Sequence, residues 1–410
     1  MRLGWIDFSK ADRDKVLNVI HLLDESGAVD ELGLGTVRDA FADYFFPGTS
    51  TVQTRAKYFL IVPYVLMEAE TGKYGNNLNT ILNRIKEEER ECRNIMMKRT
   101  TSDGVIGRSL DEDSWVLRAP SNIYWNGIKQ FKIFKEDLSV KKYIDLIINQ
   151  KARKKAKEYG NREIDAEENE KDDIDAGDIT SFHFWNCDTY RPNWRDNLTI
   201  ELLPEEAKFL KSQIIRNQNS SLLAFILKSH NISLNKYDSF KALSEGIKDS
   251  VKDPNMRDMM DLANDFNNLV SIITTRYNWI VFDGQNDYVN EKWELLKNDL
   301  KRLSTVNLED IFNRFPIRNS LLNKFLHDVQ SAIQDDDIDK VDCLIKKREK
   351  DIKEEKRAKT LHAGEYKEEN DWIGIDIFDY RYTPAKRIIQ DIKNAEAVQD
   401  VQTYFGKGSH

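Results

Sequence analysis

Eight prolines and eighteen glycines in 410 residues leave little material for turns, and this scarcity constrains the fold more than any motif. Sandwiches and barrels need a turn roughly every 8–12 residues, drawn mostly from Gly, Pro and Asn. Long helices do not. Charged residues make up 32% of the chain, above the usual quarter, which suits solvated helix faces. The chain is therefore read as mainly α and multi-helix. It is also longer than one core of about 250–300 residues can hold, so two or three domains are expected.

Helix starts and stops are written locally. Ser9 with Asp12 is a capping pair ahead of Val16, Leu17, Ile20 and Leu23 at helical spacing. A second helix is expected from about Thr36, with Val37, Ala40, Phe41 and Tyr44 on one face, stopping at Pro47-Gly48. Ser50 and Gln53 pair ahead of a third helix carrying Phe59, Leu60 and Tyr64, which Pro63 should kink. A fourth runs from Asn77 to Lys98 and ends in a charged stretch. Between Arg99 and Arg118 the period is lost, and Val105-Ile106 and Trp115–Leu117 could pair as two short strands before a helix opens at Pro120. Helix, hairpin, helix is compatible with a winged-helix-like nucleic-acid-binding unit in the N-terminal half. The plainer reading is a helical domain broken by one irregular loop, since such spacing is a common outcome of helical packing.

Beyond the centre, Pro204 and the pair Asp253-Pro254 mark further starts. Met259, Leu262, Phe266, Leu269, Ile273, Tyr277 and Ile280 extend the second of these as a long apolar stripe. More helices are expected at Glu291–Leu303, Arg318–Ile333, Ile338–Lys359 and from Pro384.

Charge is segregated in the middle of the chain. Lys129 to Arg162 holds 11 basic and 4 acidic residues, whereas Glu163 to Asp178 holds 9 acidic and 1 basic. The net charge of −8 resides in that acidic stretch. Such blocks are usually solvated, which divides the chain into an N-terminal domain over 1–150, a charged linker over 151–178 and a helical C-terminal domain over 179–410. Lys151, Arg153, Lys154, Lys155 and Lys157 are candidate phosphate contacts; a solvated linker is the plainer account. Tyr380-Arg381-Tyr382, with Lys386 and Arg387 beyond, mixes aromatic and basic groups in a way that suits base stacking or helix docking.

Several chemistries lack their motifs. The Gly-Lys pairs at Gly72 and Gly406 have neither the preceding Gly nor the following hydroxyl of a phosphate loop. No Gly-x-Gly-x-x-Gly follows a strand, and no cofactor is expected. His183 and Cys187 with Asp188 form a tight group of metal-ligand types, but they sit in an aromatic run that suits a core. Asp283, Asp287 and Glu291-Lys292, or Asp376 and Asp379, could form a carboxylate metal site for a nuclease. Among 70 acidic residues, such sets arise by chance. No apolar run reaches 18 residues, the N-terminal residues lack a secretory signal's apolar core, and Cys92, Cys187 and Cys343 are scattered thiols. No membrane association and a cytoplasmic location are expected.

Longer strings carry a resemblance. Gly4-Trp5-Ile6-Asp7-Phe8, Arg38–Asp43 leading to Phe46-Pro47-Gly48, Gln53–Phe59, Pro120–Gly127 and Asp379–Tyr382 resemble the bacterial domain-of-unknown-function family numbered 6361. The similarity is strongest over the first 130 residues and weaker beyond. It brings no catalytic residues. It implies bacterial genome-defence neighbourhoods, beside helicases and phospholipase-D-like nucleases. Arg55, Arg108, Trp125 and Arg381 are the contact candidates that accompany it, with Arg55 also readable as a structural ion-pair partner. The expected function is an accessory, non-catalytic component of an anti-phage defence system that binds DNA or such a helicase or nuclease. A metal-dependent nuclease and a pure protein–protein adaptor are the alternatives.

Overall fold

The computed structural model describes residues 30–164, 184–353, 355–365 and 372–406, with side chains described except at 154–164 and 398–406. The expected helix after Ser9 and the ligand candidate His183 lie outside the described residues. Helices dominate; among the described residues there is no named strand, and one isolated antiparallel bridge joins Phe134 to Trp185. No described helix is long and apolar enough to cross a membrane.

The chain forms two compact units that do not follow chain order. One takes the residues up to Ala42 together with Phe240–Tyr380; the other takes Asp43–Ser239 together with the residues from Arg381 onward.

In the first unit, Asp30 accepts from the backbone N–H of Leu34 and Gly35 (2.8 and 2.7 Å) as helix α1 (Gly35–Phe45) begins. Phe41 lies 5.1 to 6.2 Å, between ring centroids, from Phe315, Tyr380 and Phe266. The short α8 (Phe240–Ile247) precedes α9 (Pro254–Val281), the central helix of this unit. Here the local code held: Asp253 caps α9 through the N–H of Asn255 at 3.0 Å, and Pro254 opens it. The expected helix over 291–303 is instead two, α10 (Asp287–Leu296) and α11 (Leu300–Leu303), because Asn298-Asp299 interrupts with residues that favour local turns. α12 (Leu308–Arg314), α13 (Ser320–Gln334) and α14 (Ile338–Lys353) complete the unit, α14 ending earlier than the sequence suggests.

A strap without regular structure runs along α9. The side-chain amide of Asn278 both donates to and accepts from the backbone of Ile373 (3.0 and 2.7 Å). Asn267 does the same to Phe378, both at 2.9 Å. Thr274 donates to the carbonyl of Asp376 at 3.0 Å, and the Tyr380 hydroxyl donates to the carbonyl of Ala263. Eleven helical residues separate the two asparagines, about three turns and about 16 Å at 1.5 Å per residue. Five extended residues span about the same distance. The strap is shorter than that limit, bending at Gly374 (φ 78°), Asp376 and Ile377, and the two side-chain amides reach out to meet it.

In the second unit, α2 (Tyr58–Glu70) runs through Pro63 and is buried from Tyr58 to Ala69, as a helix apolar on every side must be. α3 (Leu78–Arg99), close to the expected span and capped by Asn77, and α4 (Pro120–Gln130) pack on it. α5 (Val140–Ile164) packs on α3. α6 (Pro204–Asn217), α7 (Leu222–Lys228) and the long α15 (Tyr382–Gly406) pack together.

The hairpin expected between Arg99 and Arg118, and with it the winged-helix-like unit, is not formed: this segment holds turns and no strand. The reason is where its backbone groups bond. The buried Arg93 guanidinium donates to the carbonyls of Asp111, Glu112 and Ser114 at 2.7 to 2.9 Å. Thr54 and Arg55 donate to the carbonyls of Gly104 and Asp103, and the N–H of Ile106 donates to the Tyr58 hydroxyl. Side chains and turns hold the loop's backbone in a shape that leaves no ladder.

α4 has no side-chain cap of its own, and Glu89 of α3 supplies one, accepting from the Ser121 N–H at 2.6 Å. Burial pushes the Glu89 carboxyl up to about 8, against the opposing effect of the Ser121 hydrogen bonds. A carboxyl raised on folding binds more protons in the folded than in the unfolded state, so this group's contribution falls as pH rises from about 4.5 to 8. Replacing Glu89 by Gln keeps an acceptor and removes the titration. The decline in unfolding free energy over that window, followed by urea denaturation at several pH values, is expected to shrink by on the order of 2–4 kcal/mol in Glu89→Gln.

Candidate nucleic-acid interface

α5 holds eight basic and three acidic residues over its 25 positions. Its first turns are anchored: Tyr143, Ile144 and Ile147 are buried. The Tyr143 hydroxyl bonds Glu70, which also accepts from the Trp185 indole N–H at 2.7 Å. Phe134 and Trp125 close this aromatic cluster at ring-centroid distances of 4.9 and 6.1 Å from Trp185. An apolar face thus fixes the helix while Lys141, Lys142 and Arg153 stay exposed on it. On the loop before it, Lys132 and Lys135 are exposed as well. No ion pair is recorded for any of these five among the described residues, whereas neighbouring Lys129 pairs with Asp137 at 2.6 Å.

The candidates named from sequence divide sharply. Arg153 is exposed, and the backbone of Lys154, Lys155 and Lys157 continues α5, their side chains lying outside the described residues. Lys151 is half-buried and donates to the carbonyl of Ala69 at 3.2 Å. Arg108 is exposed, but its guanidinium closes its own loop through the carbonyls of Ser102 and Thr101. Trp125 is interior, its indole N–H donating to the carbonyl of Leu138 at 2.8 Å, so it offers no free face for stacking. Arg381, in a left-handed backbone conformation at φ 62°, bonds Asp43 and the carbonyl of Thr49.

Arg55 is an internal ion pair. Its Nε and Nη2 reach Asp391 at 2.9 Å, and the same carboxylate accepts from the Ala56 N–H at 2.8 Å. Burial raises the Asp391 carboxyl, and Arg55 opposes that. Lys132, Lys135, Lys141 and Lys142 were counted in the basic stretch but not singled out. Their signal was the alternation of lysines with buried aromatic and aliphatic positions over 131–147.

The metal candidates do not converge. Among the described residues, no group of three or more His, Cys, Asp or Glu could hold an ion. Burial pushes the Cys187 thiol up to about 12, which makes it a poor ligand at neutral pH. Of the carboxylate set, Asp376 instead pairs with Lys292.

Replacing Arg55 by Ala leaves the Asp391 carboxylate largely buried beside one backbone donor. Stability measured by urea unfolding is expected to fall by about 3 kcal/mol, with Arg55→Lys losing less because it keeps the charge but not the fork.

No curated protein and no solved structure matches the chain. The family described as a family of unknown function (DUF6361) matches residues 1–145, a span that ends inside α5 and excludes the string at Asp379–Tyr382. Over residues 1–145, about a third of its length, the chain is thus similar to this family of unknown function.

Proposed function

We propose that the chain is an accessory component of a bacterial anti-phage defence system, acting in the cytoplasm, that engages nucleic-acid phosphates without catalysing a reaction. The observation that carries the DNA-engaging part is the set of five exposed cations, Lys132, Lys135, Lys141, Lys142 and Arg153, on one anchored helix and its leading loop. Arg55, Arg93 and Arg195, by contrast, are spent on carboxylates and loop carbonyls of their own unit. Cations left outward on a rigid element suit a phosphate backbone, since each contact releases counterions from the nucleic acid. The defence role rests on the family resemblance, which also suggests a helicase or phospholipase-D-like nuclease as the working partner.

Fluorescence anisotropy of labelled single- and double-stranded DNA tests the reading. If all five cations engage, affinity is expected to fall by roughly 10²–10³-fold between about 50 and 200 mM salt. The triple variant Lys141→Glu/Lys142→Glu/Arg153→Glu is expected to bind more weakly and with a shallower salt slope. No binding at the low-salt end rejects the DNA-engaging reading and leaves a protein adaptor.

A further inference from the structure

The strap along α9 has two unlike ends. At one, Phe378 and Tyr380 are 2% and 0% exposed, packed against each other and against Phe266 and Phe240. At the other, residues 372–376 are half-buried and Ile377 is 44% exposed. Among the described residues the exposed end makes no backbone ladder, and α9 holds its main chain through Asn278 and Thr274. Over it lies α10, whose Lys292 pairs with Asp376 and sits 4.3 Å from the centroid of the Trp372 ring. Ile373, Gly374 and Ile375 form one wall of a small, half-open and mostly apolar cleft whose other walls include Asp30, Glu31, Leu32, Leu34 and Tyr277.

We infer that residues 372–377 form a flap, hinged on the buried Phe378 and Tyr380 and latched by Lys292, whose opening uncovers this apolar cleft. The inner bonds recognise backbone only, so they add hold without depending on the flap's side chains. Asn278 holds the N–H and the C=O of Ile373 at once, so the flap is either seated on that amide or off it. The latch lies at the outer side, where Lys292 and Asp376 are 18% and 39% exposed, and an ion pair so placed is weakened by salt.

Residue-resolved hydrogen exchange on the whole chain tests this, because the N–H of Ile373 bonds Asn278 and the N–H of Phe378 bonds Asn267. In Lys292→Ala the Ile373 amide is expected to exchange about two- to tenfold faster, from loss of the ion pair and the cation–π contact. The Phe378 amide is expected to keep its rate. Raised salt is expected to act on the unaltered protein in the same direction, more weakly. Equal acceleration of both amides, or no response of Ile373 to either the substitution or salt, overturns the inference.

Discussion

Arg195 enters the second unit on a segment with little regular structure, and two carboxylates from two different helices meet it there. Glu68 of α2 and Glu88 of α3 are both nearly buried, and the guanidinium bonds one with each end. Burial by itself would push the Glu68 carboxyl up. The donors around it, Arg195 and the Trp194 indole foremost and the Tyr74 hydroxyl behind them, outweigh that effect and hold it below its usual range. A buried ion pair with one partner removed leaves an uncompensated charge, a loss of several kcal/mol. The segment around Trp194 can thus be held on α2 and α3 without a single ladder bond.

The same constraint recurs where a connector crosses a helix. A bundle of helices satisfies its own backbone internally, but long connectors must place their N–H and C=O groups somewhere. Arg93 does this for the loop after α3, Glu89 for the first turn of α4, and Asn267 and Asn278 for the strap on α9. Arg276 shows the charged version: it lies between the rings of Trp279 and Trp293 at 4.2 and 4.6 Å and forks onto Asp342. The polar residues inside the apolar stripes are therefore the joints of the fold.

This sorting of charge separates structure from surface. Most of the arginines singled out above are spent on internal carbonyls and carboxylates. Lys132, Lys135, Lys141, Lys142 and Arg153 are exposed instead, and the helix that carries the last three is held by Tyr143, Ile144 and Ile147. A group presented on an anchored helix keeps its place when a partner approaches, which is the physical basis of the proposed phosphate contacts. The protein as a whole carries −8, so attraction to an anion depends on that local surface, not on net charge.

Helix starts were legible because a cap is a contact between residues two or three apart. Asn77, Pro120, Pro204 and the Asp253-Pro254 pair all stand where the sequence puts them. So was the basic character of α5, since a run of lysines is a matter of composition. The fate of individual polar residues was not. Trp125, read as a contact candidate, packs into an aromatic cluster, and Arg55, readable as a contact or as an ion-pair partner, meets a carboxylate 336 positions away that the sequence did not point to. The two valine- and tryptophan-bearing runs after Arg99 read as strands, but Arg93 holds the carbonyls of the stretch between them in turns. By itself the sequence determined that the chain is helical and roughly where its helices begin, because those are short-range properties of the backbone. Tertiary structure alone decided which charges are buried and which face outward, because a charge is free or spent according to partners that only folding brings near.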